Sequence, residues 1–259
     1  MNGHEGKSRI ILPSFNVVSL VVQEFRTLFW QLHPARIPGR RLCRTGLHLQ
    51  YSRDMAHLCA PFMPDPLYLS LWFPDFSGPA MLPHTLAVLE QFPFSKLRPG
   101  VCYLAVQPVS WNEASVLERR FSPGIGPEEA VTVIADFIHD DYAYVFDAYW
   151  DLWTPDPNTG QWSLAPNLVK FIVQSEEFEE GAQQESGHIE VDFGTDLPFL
   201  QENVELTEET QAKVRNNVAK LVEFTLKAEK NTRASGRLLW SESEENLAQK
   251  LIARLQKVQ

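Results

Sequence analysis

The chain has 259 residues, is 44% hydrophobic and carries a formal net charge of −10. That composition supports a sizeable core and argues against global disorder. No apolar run reaches the ~18 residues of a membrane span, and three cysteines cannot form a disulfide framework in a chain this long. The expected setting is a soluble protein of a reducing, cytoplasmic compartment.

The charge is unevenly divided. Residues 1–62 hold eight basic and three acidic groups, net +5, whereas the remainder holds 15 basic and 30 acidic groups, net −15. An acidic body repels phosphate backbones, so nucleic acid is not the expected partner.

Residues 1–62 read as a basic extension with little regular structure. Three readings compete for it. The stretch precedes a native start at Met63 or Met55, or it holds an amphipathic helix through Val18, Val21, Val22, Phe25, Leu28, Phe29 and Leu32, or it is a targeting peptide. Cys43, His48, His57 and Cys59 form a zinc-like quartet whose His-x-Cys spacing is not that of a usual finger. The plainer reading makes them incidental.

The texture changes after Phe62. Leu67, Leu69, Leu71 and Phe73 alternate with Tyr68, Ser70 and Trp72, the period of a strand with one apolar face. Met81, Leu82, Leu86, Leu89 and Phe92 recur at helical spacing. Arg98-Pro-Gly100 turns the chain into a strand over Val101–Val109, and a weaker strand follows over Ala114–Phe121. Pro127, Glu128 and Glu129 open a second helix, since proline suits the first turn and acids suit the positive end of the dipole. Tyr142–Trp153 then reads as the most sharply two-faced strand in the chain.

This β-α-β-β-α-β order predicts an α+β domain with a ferredoxin-like βαββαβ core and an antiparallel sheet. Additional C-terminal elements follow: strands over Leu168–Phe178 and His188–Phe193, then a helix capped by Thr207 with a stripe of Val214, Val218, Leu221, Val222 and Thr225. The domain is expected to span 63–229. Residues 230–241 read as a linker, and Ser241-Glu-Ser-Glu244 as a capping box for a final amphipathic helix. That helix, over 241–259, is the expected contact for self-association or a protein partner, with docking back on the domain as the alternative.

Three groups of residues suggest chemistry. Asp147, Tyr149, Asp151 and Trp153 share the polar face of one strand, with Tyr68 and Trp72 expected beside them. Carboxylates among aromatic rings suit a cation, a sugar or an arginine-bearing peptide. The plainer reading has the C-terminal elements covering this face. His188, Glu190 and Asp192 fall on one face of a strand, spaced so that two of them reach one divalent metal ion; alternation of this kind also marks any half-exposed strand. His139, with Asp136 one turn earlier, is the catalytic candidate, against the simpler reading of a histidine complementing a helix dipole.

No nucleophile elbow, phosphate loop, zinc-protease pair or dinucleotide fingerprint is present. The sequence therefore leads to a soluble acidic protein, a non-catalytic protein- or ligand-binding module that needs no cofactor. The alternative is a metal-dependent hydrolase built on the His188 strand.

Overall fold

A computed structural model describes residues 64–201, 205–242 and 247–256. Residues 1–63 lie outside the described residues, and with them the zinc-like quartet and the amphipathic reading of Val18–Leu32. The Ser241–Glu244 capping box falls largely outside them too.

Seven strands form one antiparallel sheet: β1 (Pro66–Trp72), β2 (Val101–Pro108), β3 (Leu117–Ile125), β4 (Tyr142–Pro155), β5 (Trp162–Gln174), β6 (Ile189–Thr195) and β7 (Gly236–Ser241). The helices are α1 (Met81–Gln91), α2 (Pro127–Ile134), α3 (Gln183–Ser186), α4 (Leu197–Leu200), α5 (Glu208–Thr232) and α6 (Leu247–Leu255). The fold is thus a mixed α+β layer structure. No described helix is long and apolar enough to cross a membrane.

Strand order across the sheet is β3-β2-β4-β5-β6-β1-β7. This corrects the expected ferredoxin-like core, in which β1 would sit between β3 and β4. Here β1 lies between β6 and β7, so α1 carries the chain across the width of β6, β5 and β4 before β2 begins. The local βαββαβ order is as read; the pairing of β1 with strands more than 100 residues downstream overrides it.

Alternation along β4 decides which face is buried. Tyr144, Phe146, Ala148, Trp150 and Leu152 are fully buried, as their period of two requires. β5 continues that face with Val169, Phe171 and Val173, and β1 with Leu67, Leu69 and Leu71. Helices α1, α2 and α5 close over it. Phe92, just past α1, meets Trp150 at 5.6 Å, Phe171 edge-on at 5.1 Å and Phe224 of α5 edge-on at 5.4 Å. Trp150 stacks on Phe193 of β6 at 5.2 Å. Edge-to-face and offset packing of this kind adds to the area the rings bury.

Thr207 caps α5 as expected, its hydroxyl accepting from the Thr210 N–H at 3.3 Å. Buried Asn217 sits within the apolar stripe of α5. Its amide donates to the Trp153 and Pro198 carbonyls, each at 2.8 Å, and its oxygen accepts from the Trp153 N–H at 2.9 Å. A fully satisfied buried amide fixes the helix against the end of β4 in one register.

The C-terminal region departs from one expectation and decides between two readings of another. The stretch read as a linker, 230–241, is the last turn of α5 followed by β7, which pairs with β1 from Leu67↔Ser241 to Trp72↔Gly236. The stripe of α6, expected to meet a partner or to dock back on the domain, docks back: Leu247, Leu251 and Leu255 are buried, with α5 and α4 as the helices packed against α6. Leu251→Ala is therefore expected to lower the unfolding free energy by about 2–4 kcal/mol in equilibrium urea denaturation, the cost of a cavity in a closed interface. A change below ~0.5 kcal/mol, as at a solvated site, would contradict this packing.

Candidate functional site

The second face of the sheet carries no described helix over its centre, and Leu168 and Leu238 on it remain exposed. Register aligns one residue from every strand into a transverse row: Arg120, Tyr103, Asp147, Lys170, Asp192, Tyr68 and Trp240. A second row beside it runs Glu118, Ala105, Val145, Ile172, Glu190, Ser70 and Leu238. With strands ~4.8 Å apart, each row is about 29 Å long.

The β6-β1-β7 end of these rows is the most organised part. Tyr68 and Trp240 are cross-strand partners, and their rings meet tilted by 31° with centroids 4.7 Å apart. The Trp240 indole N–H donates to the Ser70 hydroxyl at 3.0 Å, which orients the indole over β1 and seals Ser70 from solvent. Three carboxylates surround this pair. Burial raises the Tyr68 hydroxyl above its usual pKa, and the charges of Asp192, Glu242 and Glu190 push it further in the same direction. None of the three carboxylates has a cationic partner within 4 Å among the described residues.

Glu190 is the most perturbed group. Its carboxyl lies between Ile172 and Ser70 in the second row, and burial, with the charge of Asp192 second, raises it from 4.5 to about 7. Two strands away, burial likewise raises Asp147, opposed by Lys170 and Arg120. One buried oxygen of Asp147 has no hydrogen-bond partner. Carboxylates held partly out of water are costly, and an incoming cation relieves that cost.

The residues expected to bind divide into two groups. Tyr68 and Asp147 stand in the first transverse row. Asp151 does not join them: its carboxylate is buried and accepts from the Ser95 hydroxyl at 2.5 Å and the Lys96 N–H at 3.0 Å. It is a loop anchor holding residues 95–98 over β4. The same loop lays the Arg98 guanidinium on the Tyr149 ring, 4.8 Å from its centroid. Lys213 of α5 covers Trp153 at 5.1 Å. Trp72 lies at the far end of β1, packed beside Gly236. Of the three expected β4 residues, the C-terminal helix α5 covers Trp153, while the loop over residues 95–98 engages Tyr149 and the Asp151 carboxylate.

The expected metal set separates as well. Gly187, at φ +94°, passes so close to β1 that an added Cβ would lie 2.9 Å from the Leu71 nitrogen. This tight passage delivers His188 to the end of the sheet. There its Nδ1 accepts from the Phe73 N–H at 3.0 Å and its ring stacks on Phe76 at 4.6 Å. Burial, with His84 nearby, lowers its pKa. Among the described residues no three His, Cys, Asp or Glu side chains form a group that could hold a metal ion. Glu190 and Asp192 instead belong with Tyr68.

His139 turns away from Asp136. Its Nδ1 meets the Asp141 carboxylate at 2.5 Å and its ring stacks on Tyr142 at 4.8 Å, with its side chain 62% exposed. Cys102, half-buried, donates its thiol to the Asp147 carbonyl at 3.3 Å, and burial raises its pKa, the opposite of an activated nucleophile. Trp240 and Glu242 are the site residues that sequence reasoning missed. The available signal was Leu238-Leu-Trp240, whose apolar residues fall on both faces and therefore show no alternation.

No family model, curated protein or solved structure matches this chain.

The Glu190 shift has a defined thermodynamic sign. In the unfolded chain the carboxyl titrates near 4.5, and in the fold near 7. The folded state holds the proton more tightly, so the stability this group contributes is complete below about pH 4.5 and is lost as pH rises through about 7. Glu190→Gln is expected to remove that loss. Urea denaturation should show the variant gaining about 1–3 kcal/mol on wild type between pH 5 and pH 8, after allowance for partial solvent screening. Parallel pH profiles for the two proteins would refute the assignment.

Proposed function

We propose that the protein is a non-catalytic binding module whose site is the β6-β1-β7 end of the exposed sheet face. Its ligand is an arginine- or lysine-bearing segment of a protein partner. One observation carries this reading: the charges of Glu190, Asp192 and Glu242 act on the Tyr68–Trp240 ring pair, and none of the three has a cation within 4 Å among the described residues. A guanidinium placed there meets carboxylates at its edge and an aromatic face beneath it, the two interactions that suit this cation best.

Sheet geometry supports an extended ligand. A row about 29 Å long accepts roughly eight to nine residues of extended chain laid across the strands. Asp147, two strands farther along, offers a second anionic position with an unpartnered oxygen. The acidic body, net −15 over residues 63–259, would speed encounter with such a partner. The hydrolase reading loses its histidine: His188 is engaged with Phe73 and Phe76, away from Glu190 and Asp192 on the sheet face.

A tetra-arginine peptide is the probe. Titrated against the full chain, it should change tryptophan emission saturably, and Trp240→Phe should remove most of that change. Asp192→Asn and Tyr68→Ala are each expected to weaken binding about tenfold, equivalent to ~1.4 kcal/mol. Glu208→Gln with Glu209→Gln, which removes two exposed charges elsewhere, should leave affinity within about twofold. Since Glu190 ionises near 7, affinity should rise from pH 6 to pH 8 in wild type and stay level in Glu190→Gln. Equal weakening by the Glu208/Glu209 variant would reduce the effect to bulk charge and sink the proposed site.

A further inference from the structure

The entry to β6 is fastened by two histidines and two phenylalanines. His188 follows the tight passage at Gly187, and its Nδ1 accepts from the Phe73 N–H at 3.0 Å. Its ring stacks on Phe76 at 4.6 Å, with 7° between the planes. His84 of α1 closes the group, its ring 4.6 Å from Phe73 and 5.8 Å from Phe76. Phe73 and Phe76 are buried, and the two imidazoles are half-buried. The cluster therefore joins three parts of the chain: residues 73–80 between β1 and α1, α1 itself, and the start of β6.

A backbone N–H can only donate, so His188 Nδ1 carries no proton and the neutral ring holds its hydrogen on Nε2. Protonation sets two donors against each other and leaves the N–H of a buried residue without an acceptor. We propose that His84 and His188 form an acid-released latch, which holds residues 73–80 against β6 while both rings are neutral and frees them when His188 is protonated.

The surroundings favour the neutral rings. Burial lowers the pKa of both imidazoles, and His84 lowers His188 further. Asp75 acts on His84, and Glu176 on His188, in the opposite sense, but both carboxylates are exposed and water screens them. Glu185 of α3 is exposed as well, and Glu190 of β6 is itself protonated below about 7. The end of β5 brings Gln174 and Ser175, which carry no charge, and across β1 the Arg237 guanidinium lies 3.4 Å from Glu229. Stacking of an imidazolium on Phe76 offsets only part of the lost hydrogen bond. The sign follows from the lowered pKa. The latch contributes its full stabilisation above about pH 6.5, the ordinary histidine value, and loses it as pH falls through the lower value of the fold. That is the reverse of the Glu190 effect, and it is independent of the sheet-face reading.

The test is native-state hydrogen exchange of the full chain at pH 7.5 and pH 5.5, corrected for the intrinsic exchange rate at each pH. In wild type the protection of the Phe73 amide should fall about five- to tenfold between the two, since one pKa unit is a factor of ten. The amide of Leu69, at a position paired to both β6 and β7, reports the core of the sheet and should not fall. His188→Asn puts an amide oxygen, an acceptor that does not titrate, in place of Nδ1, and Phe73 protection there should change less than about twofold. No fall in wild type overturns the inference, and so does an equal fall in His188→Asn or at Leu69. Should the variant not fold, the ring nitrogens of His188 in wild type decide by ¹⁵N resonance. Nε2–H at pH 7.5, titrating in step with the Phe73 amide shift, supports the latch. The opposite tautomer, or a Phe73 amide indifferent to His188 protonation, rejects it.

Discussion

The packing of Trp150 governs the rest of the structure. Its indole sits fully buried at the middle of β4, against Phe92, Phe193 and Phe199, with Phe224 of α5 completing the cluster through Phe92. These rings come from segments spread across more than 130 residues, so the cluster joins α1, β4, β6, α4 and α5 at one point. The indole N–H has no hydrogen-bond partner, a cost the apolar packing around it must exceed. Once Trp150 is committed to the helical side, the pleat leaves no freedom: Val145, Asp147 and Tyr149 must face the other way. The polar face is therefore a consequence of the core.

That constraint passes across the sheet by register. Asp147 pairs with Lys170, Lys170 with Asp192, and Asp192 with Tyr68, so a choice made on β4 places a charged or aromatic residue at each position out to β7. Neighbouring side chains also take water away from one another. Glu190, between Ile172 and Ser70 and near Asp192, is desolvated without being covered by a helix. The electrostatic character of the face thus arises from close-packed strands, in which each side chain forms part of the next one's low-dielectric surround.

Local structure was legible in the sequence where one period dominated. The alternation in β1 and β4 and the Thr207 cap of α5 could be read directly, because each is set by residues within a few positions of one another. Strand order could not. That β1 pairs with β6 and β7 depends on contacts at separations beyond 100 residues, which no local pattern encodes. β7 was illegible for another reason: an edge strand with apolar residues on both faces has no period. β5 was read to begin at Leu168 although it starts at Trp162, since Pro166 within it resembles a strand breaker. Among the site residues, Tyr68 and Asp147 followed from alternation alone. Asp151 and His188 shared the same local pattern, but loop 95–98 and the close pass of Gly187 gave them structural tasks that depend on distant chain.

The same nonlocality explains why the sheet-face site belongs to the assembled fold and to no single segment. Tyr68 lies near the beginning of the described chain and Trp240 near its end, and neither strand alone positions a ring over Ser70. β7 reaches β1 only after α5 has crossed the core, held in register by Asn217 at the end of β4. A shift of α5 by one residue would rotate Asn217 away from Trp153 and move the start of β7. A slip of one residue in β7 would then turn Trp240 toward the core side and present Leu239 in its place. The amide in the helix and the indole on the far face of the sheet are linked through the register of the strand between them. The stability of the core and the geometry of the proposed binding surface are for that reason one physical problem.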